Sequence, residues 1–305
     1  MLDRFFYWLL SMSVIASFTG VLALLIGKIK KLPRRFCVIL WAVPFLRMLV
    51  PVGINSEYSL LSLLSRLSFL FGKTVNVFRV SEYLEFSARN MIQAVVFYAP
   101  FTYKVQSLKR VFGVAGGVWL TVALALLLAF ALLYFGTLRE LRDARRVQGN
   151  VFVSEKMQSP AVYGVFRPKI VLPAAFGEKE PEYVLLHENA HIRRKDNLWR
   201  LLAFFAAAVH WFNPLSWLFL KSFLAQLELA CDESVVSSLS AERRREYART
   251  LLSFAESKSL FASAFGGAKV RTRIENVVSY KRMSLLAALG AAAFIAAVLF
   301  ALLTN

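Results

Sequence analysis

The chain has 305 residues, 58% of them hydrophobic and only 18% charged, with a net charge of +18. An ordinary soluble domain is about 45–50% apolar and about 25% charged, so lipid is the expected solvent for much of this chain. The cations cluster at the ends of apolar runs instead of forming one stripe, which argues against direct nucleic-acid binding, and the two cysteines, Cys37 and Cys231, suggest no disulfide framework.

Residues 5–27 carry no charge and are long enough to span a bilayer. The run exceeds a signal-peptide core, and a basic cluster follows it rather than precedes it, so a retained span is expected. That cluster is Lys28, Lys30, Lys31, Arg34 and Arg35. The positive-inside rule puts it in the cytoplasm and the N-terminus outside. Residues 36–53 form the second expected span, kinked by Pro44 and Pro51, with Arg47 snorkelling near its outer end. The loop 54–110 then falls outside, with helical stretches 60–71 and 83–97 suited to the membrane surface. Residues 111–138 are the third expected span and precede Arg139, Arg142, Arg145 and Arg146. Residues 283–305 are the fourth, preceded by Lys269, Arg271, Arg273, Lys281 and Arg282. This layout predicts a multi-pass protein of the cell membrane with both termini outside. Residues 1–138 form its transmembrane region, 139–282 a cytoplasmic domain and 283–305 the last helix.

Within the inside segment, 150–154 and 161–172 are rich in Val, Ile, Phe and Tyr and predict a small β-hairpin or strand pair. Pro168 cannot donate to a ladder, so its strand is expected at an edge. From residue 180 to about 257 the pattern is helical. The expected fold class is a mainly α membrane protein: four transmembrane helices plus a cytoplasmic domain with a small sheet and a membrane-dipping helical hairpin.

The chemistry concentrates in His187-Glu188-Asn189-Ala190-His191. Histidines at i and i+4 share a helix face and can both reach one Zn²⁺ at about 2.0–2.1 Å. Glu188 beside them can take a proton from the attacking water, which is the HExxH arrangement of a metallohydrolase. Two of the chain's three histidines lie in this motif. Apolar Val184, Leu185 and Leu186 precede it, and Arg193, Arg194, Lys195 and Asp196 mark its exit into water. A third ligand must come from His210, Glu228, Asp232, Glu233 or Cys231. Residues 201–220 are uncharged and could cross the bilayer, which would put His191 and Glu228 on opposite sides. Asn213-Pro214 breaks the helix and lets the segment dip and return. Glu228 and Asp232, at i and i+4 on the returning helix, can then face the metal. Glu228 is assigned as ligand and Asp232 as the carboxylate behind a ligating histidine, the exchanged roles remaining open. His210, beside Trp211 and Phe212, is read as a packed, hydrogen-bonded histidine.

Three blocks carry a likeness to a known family: Tyr163-Gly164-Val165-Phe166-Arg167-Pro168-Lys169-Ile170-Val171-Leu172-Pro173, His187-Glu188-Asn189-Ala190-His191-Ile192-Arg193-Arg194-Lys195-Asp196, and the stretch from Trp211-Phe212-Asn213-Pro214 to Glu228-Leu229-Ala230-Cys231-Asp232-Glu233. Together they resemble the membrane metallopeptidase domain of BlaR/MecR-type β-lactam sensor-transducers. The resemblance implies zinc on His187, His191 and Glu228, Glu188 as general base, a gluzincin-like fold, and signalling by cleavage of a cytoplasmic DNA-binding repressor or of the receptor itself. Asn189 stands where the family usually has an apolar residue. The chain ends at Asn305 without the family's penicillin-binding domain, so direct β-lactam acylation is not expected.

A peptide substrate is expected along the 161–172 strand, against Val165, Phe166 and Ile170, by strand addition. Tyr163, Tyr247, Arg193 or Arg194 can supply the oxyanion donor. Arg243-Arg244-Arg245 and Arg271-Thr272-Arg273 read as solvated helix faces. The lipid bilayer is the other expected partner, and self-association stays open. Rival readings are a protease cutting within the membrane, opposed by the charges adjoining His191, and a non-catalytic receptor with a structural zinc, opposed by Glu188. A transporter has only Arg47 within a span to build on.

Overall fold

The computed structural model describes residues 1–29, 32–50, 106–157, 159–174, 181–256, 270–281 and 284–303. The expected surface stretches 60–71 and 83–97 lie outside those residues, as do Lys30, Lys31, Lys269 and Arg282 of the basic clusters.

Two described helices are long and apolar enough to cross a membrane: α1, Leu2–Gly27, and α4, Gln106–Glu140. The expected second span is instead two short helices, α2, Arg34–Leu40, and α3, Ala42–Leu49, broken at Trp41. Pro44 explains the break: it has no N–H for the Leu40 carbonyl, and its ring crowds that turn. Seven and eight residues are too few to cross a bilayer singly. Arg47 on α3 does not snorkel; it is 2% exposed, because α3 packs into the protein through Val43, Phe45 and Met48. The last helix, α10, Leu285–Leu303, is apolar, but its apolar window is shorter than that of α1 or α4. Four crossing helices therefore do not emerge from length and composition among the described residues.

After α4 the chain makes a four-stranded sheet of β1, Arg145–Gln148, β2, Val151–Ser154, β3, Ala161–Tyr163, and β4, Lys169–Pro173. Its order is β1-β2-β4-β3, with β2 and β4 parallel and the outer pairs antiparallel. The expected strand 161–172 is thus two strands. Pro168 lies in the connection, where its missing N–H costs no ladder bond. Gly164 opens that turn at φ +89°, and a Cβ there would meet the Arg167 carbonyl oxygen at 2.9 Å. β4 is an interior strand, and its Ile170 and Leu172 pack under Val184.

The remaining helices are α5, Pro181–Arg194, α6, Asp196–Val209, α7, Pro214–Val236, α8, Ala241–Glu256, and α9, Val270–Val278. Helices α6 and α7 form a hairpin whose turn is 210–213. Asn213 caps α7 through the Leu215 N–H, and Pro214 occupies the first helical position, where no N–H is needed. The Asn213 amide donates to Ser13 and Ser17 Oγ on α1, at 2.8 and 2.9 Å. Trp119 Nε1 on α4 donates to the Val209 carbonyl at 2.7 Å, and Ser216 Oγ to that of His210 at 3.0 Å. The turn therefore satisfies backbone groups that apolar surroundings would otherwise strand. His210, fully buried, bonds through Nε2 to the Met48 carbonyl at 2.8 Å, the packed role read for it. The returning helix lies so close to α1 that a Cβ on Gly20 would stand 2.3 Å from the Phe219 ring.

Candidate metal centre

Helix α5 holds His187 and His191 one turn apart, and the hairpin brings α7 back against it. The two Nε2 atoms lie 3.1 Å apart. Glu228 faces both, Oε2 3.6 Å from His187 Nε2 and Oε1 3.7 Å from His191 Nε2. His187 is 9% exposed and His191 4%.

The hydrogen-bond network sets the tautomers. Tyr247 of α8 gives its hydroxyl proton to Asp232 Oδ1 at 2.6 Å, so its oxygen accepts from His187 Nδ1–H at 2.9 Å. His191 Nδ1–H donates to Asp196 Oδ2 at 2.7 Å. With both rings neutral the two Nε2 lone pairs converge at 3.1 Å, a spacing that a shared proton, the Arg273 Nη2–H at 3.3 Å from His187 Nε2, or a metal ion would satisfy. Two nitrogens on one tetrahedral zinc lie about 3.3 Å apart, given bonds of about 2.0–2.1 Å. Two nitrogens, a facing carboxylate and Nδ1–H groups held by other side chains are a donor set that fits zinc.

A third ligand-type atom, Cys231 Sγ, also falls in the cluster, within 4.8 Å of the two histidines. That Sγ lies 3.5 Å from His187 Nδ1 and donates to the His187 carbonyl at 3.3 Å. Glu228, by contrast, meets the Nε2 side where the two lone pairs converge, and is the better-directed donor.

Asp232, expected behind a ligating histidine, lies 3.3 Å from His187 Nδ1 and is completely buried. Its charge is met by Arg273 of α9, with Nε to Oδ2 at 2.7 Å and Nη2 to Oδ1 at 2.8 Å. Arg273 is not the solvated residue expected of its basic run: it is 8% exposed, with Nη2 3.3 Å from His187 Nε2 and Nη1 3.5 Å from Glu228. Val270, Arg273, Ile274 and Val277 share one face of α9, and that stripe turns inward. Asp196 likewise does not mark an exit into water; it is 1% exposed. Lys195, with φ 55° in the left-handed region, turns the chain so that Asp196 points back at His191. Arg200 completes the ring by donating to Glu228 Oε1 at 2.7 Å.

These neighbours set the charges. Burial works against the Glu228 carboxylate, but His191, His187, Arg273 and Arg200 hold it well below the usual carboxyl range. Burial opposes the Asp232 charge too, and Arg273 and His187 bring that carboxyl down to about 2. Burial disfavours charged imidazole at His191, yet Cys231, Glu228 and Asp196 raise it to about 9. His187 moves the same way against its burial, through Cys231, Tyr247 and Asp232. The site thus keeps its carboxylates ionised beside imidazoles that hold their protons, and a metal ion would have to displace those protons to bind.

Glu188 is 8% exposed, and no hydrogen bond or ion pair to its carboxylate occurs among the described residues. The expected substrate residues do not form an edge. Ile170 is in interior β4, pairing with Val151 and Val162, and is 0% exposed. Val165 and Phe166 lie in the bend between β3 and β4, with Phe166 94% exposed. β3 is the edge on that side, and Asn197 Nδ2 ties it to α6 through the Val162 and Gly164 carbonyls at 3.1 and 2.9 Å. Of the oxyanion candidates, Tyr247 and Arg194 are committed to Asp232 and Asp196, and the Tyr163 hydroxyl contacts Met157 Sδ at 3.8 Å.

Fold and site together define a helical protein with apolar helices, a small sheet and a buried His187–His191–Cys231 cluster that could hold a metal ion, with Glu228 facing the two histidines. The family model described as BlaR1 peptidase M56 matches residues 7–279, and the chain belongs to that family of peptidases. Regulatory protein BlaR1 of Bacillus licheniformis is 34% identical over 141 residues, 43% of this chain and 24% of that protein. The methicillin resistance mecR1 protein of Staphylococcus aureus (strain Mu50 / ATCC 700699) is 28% identical over 103 residues, 32% of this chain and 18% of that protein. The aligned part of the chain therefore spans about a quarter or less of these curated relatives.

Proposed function

We propose that the chain is a membrane-bound zinc endopeptidase that acts in signalling, on a cytoplasmic protein such as a DNA-binding repressor or on itself. The carrying observation is the pair of opposed Nε2 atoms at 3.1 Å with the Glu228 carboxylate turned toward both. His187, His191 and Glu228 are the proposed ligands. A bound Zn²⁺ would polarise the scissile carbonyl and lower the pKa of the attacking water. Glu188, next to His187 on α5 with its carboxylate uncommitted, accepts the proton from that water and delivers it to the leaving amine. Asp232 and Asp196 hold the imidazoles by their Nδ1–H groups, and Tyr247 bridges the first of these contacts. Arg273 and Arg200 keep the crowded carboxylates ionised. The substrate lies along the β3 edge beside Asn197, not along residues 165–170.

Alpha1 and α4 are the proposed membrane anchors, with the α6–α7 turn beside the middle of α1 and the metal centre on the cytoplasmic side. The test is to express wild type and Glu188→Gln with a candidate repressor, comparing zinc content and fragments. The variant is expected to keep its zinc and lose about 10²–10⁴-fold in cleavage rate. Normal cleavage by the variant sinks the assigned base.

A further inference from the structure

A cleft of about 910 Å³ opens behind the metal centre between the start of α2, the α5–α6 junction, α7 and the end of α9. Arg34, Arg35, Arg194 and Lys281 line it, against two carboxylates, Asp196 and Glu233. Both acids are engaged: Asp196 by His191 and Arg194, and Glu233 by the Arg34 backbone N–H at 2.6 Å. Arg35 and Lys281 are exposed; neither forms a salt bridge among the described residues, although Arg35 lies near enough to Glu233 to favour its charge and sits over the Phe36 ring at 5.1 Å. The remaining wall mixes Ser234, Ser237, Asn276 and Ser279 with an apolar patch, where Ile39 is 48% and Trp199 38% exposed beside Val38.

This combination has a location as well as a chemistry. Arg34 and Arg35 follow the end of apolar α1, and Lys281 precedes apolar α10. A cationic mouth with an apolar patch at the boundary of apolar helices matches a lipid headgroup with its first acyl carbons. A soluble anion would make no use of Val38, Ile39 and Trp199.

We propose that this cleft binds the headgroup of an anionic phospholipid, its phosphate on Arg35 and Lys281 and its acyl chain along Ile39 and Trp199. Arg194 places the ligand one side chain from the metal centre, because its Nε bonds Asp196, which in turn holds His191. The inference rests on the membrane placement proposed above, but not on peptidase activity, so lipid binding and cleavage can fail separately.

Native mass spectrometry of the full chain in detergent, with phosphatidylglycerol or phosphatidylcholine of matched acyl chains, tests it. Wild type should retain phosphatidylglycerol in preference to phosphatidylcholine. An Arg35→Ala/Lys281→Ala variant should lose about tenfold or more of that preference, on the order expected for two interfacial cations. Arg245→Ala/Arg249→Ala, which removes equal charge from exposed positions on α8, should retain it. Equal retention of both lipids by wild type overturns the proposal, as does equal loss in the two double variants. Displacement of the lipid by millimolar glycerol phosphate also overturns it, since the anion alone would then be the ligand.

Discussion

The α6–α7 hairpin has two ends with opposite solutions to the same problem. At its tip, the turn at 210–213 packs polar backbone against apolar helices and satisfies it with neutral donors, the Trp119 indole and Ser216 Oγ, while the Asn213 amide bonds the Ser13 and Ser17 hydroxyls. At its base, Asp196 and Asp232 are buried charges and Glu228 a half-buried one, each met by an arginine or imidazole. Neutral satisfaction makes a fixed anchor, whereas charge satisfaction holds ionised carboxylates beside the two imidazoles. One hairpin thus joins a membrane-compatible foot to a reactive centre.

The contrast predicts that variants at the base change metal binding, while variants at the tip change stability alone. Arg273→Ala should have the largest effect. It leaves Asp232 buried with its charge uncompensated, at about 3–5 kcal/mol, seen as a lower Tm together with weaker zinc retention. Next comes the ligand choice. Glu228→Ala should weaken zinc affinity about 100-fold or more, beyond the effect of losing a supporting residue, and Cys231→Ser should weaken it far less. Competition titration with a chelator reads both, and the reverse order would transfer the third ligand to Cys231. At the other end, Gly20→Ala drives a Cβ into Phe219 and should cost about 1–3 kcal/mol. Zinc stoichiometry in the folded fraction should not change. Asn213→Ala removes a cap and two bonds to α1, an effect of about 1–2 kcal/mol by thermal unfolding. If either tip variant releases zinc while folded, the two ends are not separable in this way.

Much of this was readable in the residues. His187 and His191 at i and i+4, and Glu228 and Asp232 at the same spacing, place side chains in pairs on any regular helix. Asn213-Pro214 announces a helix start, and the hairpin there brings Glu228 back. Pro44 announces the break between α2 and α3. The sheet was less legible: β1 hid in a basic cluster, and the parallel β2–β4 pairing joins strands that a hairpin reading would set antiparallel. Arg273 and Asp196 were misread for one common reason, that a charged residue beside other charges looks solvated in one dimension, whereas Arg47, alone in an apolar run, was read as reaching for water although α3 packs inward. The one available signal was Arg273 in the Val270, Ile274 and Val277 stripe.

Spacing along a helix depends only on local backbone geometry, so the sequence alone determined which ligand-type residues share a face, where helices must stop, and how apolar the chain is. Solvation depends on what lies across a gap, often tens of residues away in the chain. Tertiary structure alone therefore decided that Arg273 meets Asp232, that Asp196 turns back onto His191, that β3 and not β4 is the edge, and that the cations near Arg35 surround a cleft.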